Sequence, residues 1–193
     1  MNFFTIQQIT VIIILAIFFI GRHATSYLMG KRPKTKTPLP TVIGRFLVSY
    51  IVLLLIPLVL ILDISNFNIG SQITEKVLLI YVLGTMVSVI GIIFMALARY
   101  HRQKDWGFLG DDAGQTLFTK GIYSVTRHPY YVGSNLIGLG IYLILNSWFI
   151  IITIPAVIFT WRVIKGEDVF LKNKFGKEWE EYKNTVGVIP FVK

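Results

Sequence analysis

One stretch of the chain, Gly121-Ile122-Tyr123-Ser124-Val125-Thr126-Arg127-His128-Pro129-Tyr130-Tyr131, crowds Arg, His and Tyr together directly before an apolar run. A second polar pair, Glu167-Asp168, follows that run. A guanidinium is a planar fork suited to a carboxylate or a phosphate. Tyrosine rings stack on a flat base or face a cation. Carboxylates accept from ribose hydroxyls or an ammonium group. Brought to one rim, Arg127, His128, Tyr130, Tyr131, Glu167 and Asp168 would suit a small molecule with both a nucleoside and a charged end.

The elements that must position them are apolar. The 193 residues are 54% hydrophobic with a mean hydropathy of +0.65, and only 15% are charged. That composition exceeds the usual apolar share of a soluble domain and predicts an all-α membrane protein forming a single domain over residues 1–193. The chain has no cysteine, which excludes disulfides, thiolate nucleophiles, iron–sulfur clusters and cysteine zinc sites. Met1–Ile20 has no basic leading segment and no small-residue cleavage site, so it reads as a first spanning helix rather than a leader.

Apolar runs at Phe3–Ile20, Phe46–Ile64 and Val77–Ala98 each approach the length needed to cross ~30 Å of hydrocarbon. Pro57 should kink the second. Gly84 and Ser88, four apart in the third, allow close helix approach. Two shorter runs, Val132–Leu145 and Trp148–Trp161, are split only by Asn146-Ser147 and predict a tight helical hairpin, with Pro155 bending its second arm. Arg162–Lys193 is polar and amphipathic and predicts a tail helix lying on the surface. The total is about five membrane-spanning helices.

Of the 19 Lys and Arg, all but Lys76 lie in three segments: Gly21–Arg45, Arg99–Arg127 and Arg162–Lys193. With an odd number of crossings these segments share one side. The positive-inside rule makes that side cytoplasmic and puts the N-terminus outside. The net charge of +9 is thus a topology signal, and nucleic acid is not an expected partner.

A tight turn folds the far ends of the hairpin back together. Arg127–Tyr131 and Glu167-Asp168 should therefore meet at the cytoplasmic rim. The assembled set fits S-adenosylmethionine, which carries an adenine, a ribose, an α-amino acid and a sulfonium; it partly fits a nucleotide. The cofactor's reactivity is its own, and the protein mainly orients it, so no metal is expected. The same residues also serve as plain anchors: Arg127 and Lys120 as positive-inside charges, Tyr130-Tyr131 as an aromatic belt, Glu167-Asp168 as the acidic first turn of a helix. Residue types alone leave both readings open.

The pattern Gly121-x-Tyr123-x-x-x-Arg127-His128-Pro129-x-Tyr131, a hydrophobic hairpin, then Glu167-Asp168-x-x-Leu171-x-x-x-Phe175-Gly176-x-Glu178-Trp179-x-x-Tyr182 and a late Pro190 resembles the isoprenylcysteine carboxyl methyltransferase family, which belongs with the phospholipid methyltransferases. The resemblance covers roughly Asp105 to Pro190. It implies an S-adenosylmethionine site beside a lipid-accessible tunnel, in a cofactor-binding half of about residues 99–193. Cofactor contacts are implied at Gln115, Leu117, Gly121, Tyr123, His128, Pro129, Tyr131, Glu167 and Asp168, and catalytic roles at Arg127 and Glu167. Where the family often has Gly-His-x-Leu, this chain has Gly114-Gln115-Thr116-Leu117; Asp168 stands for a frequent Glu and Trp179 for a frequent Tyr.

The expected activity is methyl transfer to a lipophilic acceptor: a prenylcysteine-like carboxylate, or a lipid amine or thiol. Membrane sterol reductases, which use NADPH, share similar C-terminal elements and are one alternative; a non-catalytic membrane scaffold is another. Other signals are weaker. Gly133, Gly138 and Gly140 lie in an apolar segment with no strand before them, so they read as helix packing rather than a dinucleotide loop. His23, His101 and His128 have no metal-ligand spacing. His101 reads as a basic-aromatic anchor, and Glu178, Glu180 and Glu181 as a solvated helix face.

Overall fold

A computed structural model describes residues 3–28, 77–102 and 116–192. The described residues are helical, with no strand: α1 (Phe3–Leu28), α2 (Val77–Arg102), a short 3-10 turn (Gly121–Ser124), α3 (Pro129–Ile144), a second 3-10 turn (Trp148–Ile152), α4 (Thr153–Phe175) and α5 (Lys177–Thr185). The expected second span, Phe46–Ile64, lies outside the described residues, as do most of the Gly21–Arg45 loop and the Ser65–Lys76 loop.

On α1 the inward positions are Gln7, Val11, Ile14, Leu15 and Phe18, a spacing of three and four that puts them on one face. The four apolar ones meet Met95 of α2 and Ile137, Ile141, Tyr142 and Ile144 of α3 in one buried cluster. The Thr10 and Tyr81 hydroxyls share a hydrogen bond of 2.9 Å between α1 and α2. The outward faces are apolar too. Leu78, Leu79, Val82, Leu83, Met86, Val89, Ile90 and Ile93 are exposed on α2. One described helix, Val77–His101, is long and apolar enough to cross a membrane; α1 carries a shorter apolar stretch, Ile6–Gly21.

The closest packing is between α2 and α3, and glycine makes it possible. A Cβ on Gly84 would stand 2.7 Å from the Gly140 carbonyl oxygen, and one on Gly91 would stand 2.6 Å from that of Gly133. A Cβ on Gly140 would run into the Ser88 hydroxyl. Backbones this near leave no room for side chains, the arrangement expected of small residues spaced along two apolar helices. The packing role expected for Gly84, Ser88, Gly133 and Gly140 is thus what the structure shows.

The expected hairpin forms. Helix α3 ends at Ile144 with Leu145 as its C-cap, and Asn146 takes a positive φ of 48°. The Asn146 N–H donates to the Leu143 carbonyl at 2.9 Å and the Ser147 N–H to the Tyr142 carbonyl at 3.4 Å. This is a Schellman motif, and asparagine tolerates its left-handed position better than any residue but glycine.

The second arm departs from expectation. It starts as a 3-10 turn and then runs as one 23-residue helix to Phe175, so no separate tail helix begins at Arg162. Nothing between Trp161 and Phe175 breaks a helix; Gly166 is simply accommodated. Pro155 falls in the first turn of α4, where its missing N–H leaves no intrahelical bond unmade. The break comes at Gly176, φ +54°, and only the nine residues of α5 form the short amphipathic helix beyond it.

Candidate functional site

Loop 116–128 and the second half of α4 build the site. Gly121 opens the 3-10 turn at φ +61°, where a Cβ would fall 2.6 Å from the ring of His101 at the end of α2. His101 packs edge-on against Tyr100, and its Nδ1 lies 2.9 Å from the Leu97 carbonyl. It therefore forms a wall behind the turn, a role its position after a span did not reveal. Tyr123 then ties the turn to α2: its phenol donates to the Ala98 carbonyl at 3.4 Å and its ring meets Phe118 edge-on.

Thr126 is fully buried. Its hydroxyl donates to the Val188 carbonyl and accepts the His128 N–H at 3.4 Å. His128 is the N-cap residue of α3, and Pro129 fills N1, where its fixed φ suits the helix and its lack of N–H does no harm. Sixteen residues of α3 span ~24 Å and return through the turn to α4, which reaches the same level about fourteen residues along.

There the two ends meet. His128 Nε2 lies 2.7 Å from Asp168 Oδ1, and His128 Nδ1 lies 3.5 Å from Glu167 Oε2. The Tyr131 phenol donates to Glu167 Oε1 at 2.9 Å, and Arg127 Nη1 donates to Asp168 Oδ2 at 3.3 Å. The side chains of His128 and Arg127 are only 4% and 8% exposed. Burial alone pushes the His128 pKa down, but the hydrogen bonds to Asp168 and Glu167 outweigh it and raise it above 6.5. An imidazole facing a carboxylate at each nitrogen can donate to both only as the imidazolium. Two cations thus balance two carboxylates inside a buried cluster, which makes the interaction sensitive to loss of any member.

Of the residues singled out by sequence, Arg127, His128, Tyr131, Glu167 and Asp168 come together here. Pro129 is buried at the first position of α3, next to His128 in the chain. Leu117, half-buried, lies in the loop that leads in, and Gly121 and Tyr123 in the turn before the cluster. Gln115 lies outside the described residues. Tyr130 turns its ring to the Arg99 guanidinium, 5.7 Å from carbon to ring centre, while Arg99 donates to the Gly21 carbonyl at 3.0 Å and so links α1, α2 and α3.

The phospholipid methyltransferase family model matches residues 79–178, just over half of the chain. The chain belongs to the phospholipid methyltransferase family. No curated protein sequence matches it. The stretch shared with this family of membrane methyltransferases runs from α2 to the start of α5 and includes Arg127, His128, Tyr131, Glu167 and Asp168.

Two aromatic residues beyond that stretch complete the surroundings. Trp179 and Tyr182 are buried on one face of α5, rings 5.6 Å apart, while its other faces carry charge. Glu180 pairs with Lys172 at 2.7 Å and Glu181 with Lys177 at 3.7 Å, the solvated face expected of these glutamates. The Tyr182 phenol donates to the Tyr123 carbonyl at 2.6 Å, and burial followed by the neighbouring Tyr123 raises its pKa, so it stays a donor. Sequence reasoning saw this pair only as part of a motif. The available signal was an aromatic pair three residues apart in an otherwise charged segment, which in a solvated helix has no other use.

Proposed function

We propose that this protein is an S-adenosylmethionine-dependent methyltransferase, embedded in the membrane by about five helices, with its site at the cytoplasmic face and its N-terminus outside. The observation that carries the reading is the buried meeting of Arg127 and His128 with Glu167 and Asp168 in a chain of this family. Exposed apolar faces on α1, α2 and α4 support the membrane setting, since surfaces this extensive are costly in water.

The donor set fits the cofactor. Arg127 Nε is buried and has no hydrogen-bond partner, which leaves one edge of the guanidinium for an anionic group such as an α-carboxylate. Glu167 and Asp168 would accept from an ammonium or a ribose, and the Tyr131 phenol donates to Glu167. Bound S-adenosylmethionine would supply an electrophilic methyl group on a sulfonium. The chain's own residues bind, orient and exclude water, and positioning of this kind can account for much of a rate.

The acceptor is lipophilic and enters from the bilayer. A carboxylate acceptor, such as a prenylcysteine, arrives ionised and needs no base. Asp168 already accepts from His128 and Arg127, and Glu167 already accepts from Tyr131 and faces His128. An amine or thiol acceptor would have to lose its proton to one of these or before binding. Calorimetric titration of the detergent-solubilised protein with S-adenosylhomocysteine tests the cofactor; a folded protein that shows no heat of binding overturns it. Incubation with labelled S-adenosylmethionine and a lipid extract then identifies the methylated product.

A further inference from the structure

The segment from Lys177 onward touches the Arg127 loop repeatedly. Tyr182 donates to the Tyr123 carbonyl, the Arg127 N–H donates to the Gly187 carbonyl at 3.0 Å, and the Thr126 hydroxyl donates to the Val188 carbonyl. These contacts fix backbone. The fourth is different: the Arg127 guanidinium lies over the ring of Trp179, 5.6 Å from carbon to ring centre, and Trp179 is 2% exposed.

Arg127 is therefore held from two directions. Asp168 takes Nη1, and the guanidinium carbon stands over the indole ring, 5.6 Å from its centre. The guanidinium has five N–H donors, and the cation–aromatic contact supplies no oxygen or nitrogen acceptor to any of them. Nε remains buried and without a partner. A long side chain left to itself would lose this geometry to its own rotamer freedom. Indole binds a cation through its face better than the other aromatic rings do. The family match ends at Glu178, one residue before Trp179, so it assigns the indole no role.

We infer that Trp179 is a positioning residue: the face of its indole holds the Arg127 guanidinium through a cation–aromatic contact so that the Nε edge is presented to a carboxylate of the bound ligand. The inference rests on the cofactor reading given above. Trp179 itself touches no reacting atom; it acts through Arg127.

Two probes separate this from a merely structural role. S-adenosylhomocysteine has an amino-acid carboxylate, whereas 5′-methylthioadenosine has the nucleoside and sulfur without it. In the full-length protein in detergent, Trp179→Met should weaken S-adenosylhomocysteine about tenfold while 5′-methylthioadenosine stays within about threefold, and Trp179→Phe should restore most of the loss. Arg127→Lys keeps the packing of Trp179 and should show the same selectivity, and the double variant should bind no more weakly than the worse single one. Equal losses for both probes, or additive losses in the double variant, overturn the inference. Should the wild-type protein bind neither probe, the cofactor reading fails, and amide hydrogen exchange across residues 123–128 of the ligand-free protein decides the role of Trp179. Equal, non-additive increases in Trp179→Met and Arg127→Lys support it, and additive or absent increases overturn it.

Discussion

His128 Nε2 and Asp168 Oδ1 stand 2.7 Å apart although 40 residues separate them in sequence. The bond closes the open end of the α3–α4 hairpin, and Asp168 also holds Arg127. Asp168→Asn replaces the shared acceptor by a neutral amide facing two buried cations. The expected loss is about 1–3 kcal/mol of unfolding free energy, read from denaturant or thermal unfolding in detergent. Unchanged stability would show that the cluster is not closing the hairpin.

The same bond sets a pH dependence. The folded state raises the His128 pKa above 6.5, because its bonds to Asp168 and Glu167 outweigh burial. The folded protein thus holds the proton more tightly than the unfolded chain does. This contribution is complete below the ordinary histidine pKa and is lost as pH rises through the raised value. Thermal midpoints should fall from mildly acidic to alkaline pH, and His128→Gln should flatten that slope. A wild-type slope of the opposite sign, after correction by the variant, would contradict the paired imidazolium.

Glu167→Gln keeps an acceptor for the Tyr131 phenol but removes the charge. If Glu167 serves the cofactor, affinity for S-adenosylhomocysteine should drop roughly tenfold to a hundredfold, the size of a lost charge-assisted hydrogen bond. Calorimetry with the variant and the wild type side by side makes the comparison. Equal affinities would remove Glu167 from the binding site.

Glycine substitutions test the helix packing. Gly140→Ala pushes a methyl group into Ser88 and the Gly84 carbonyl, and should cost about 1–3 kcal/mol through overpacking. Gly166→Ala in α4 meets nothing within 4 Å and should gain up to about 1 kcal/mol from helix propensity. Unfolding of the two variants in one detergent gives the contrast. A tolerated Gly140→Ala would mean that α2 and α3 do not approach as closely as described.

The turn offers a further check. Asn146 occupies φ 48°, so Asn146→Gly should be nearly neutral, whereas Asn146→Val should cost about 1–2 kcal/mol. Thermal unfolding decides, and equal effects of the two changes would exclude a left-handed turn.

Much of this was legible in the chain itself. Apolar runs separated by a two-residue polar break encode two rods and a turn, because only tightly turning residues interrupt them. That is enough to bring Arg127 and His128 near Glu167 and Asp168. Small residues at helical spacing encode the α2–α3 contact, since removing side chains is what lets backbones touch. Tertiary structure alone decided the rest. Whether α4 stopped at the apolar–polar boundary or ran on to Gly176 could not be read from composition, because a helix continues wherever nothing breaks it and a partner holds its far end. The contact between Arg127 and Trp179 was equally hidden. A cation–aromatic contact between a loop and a later short helix depends on where separate elements dock, and no local pattern records that distance.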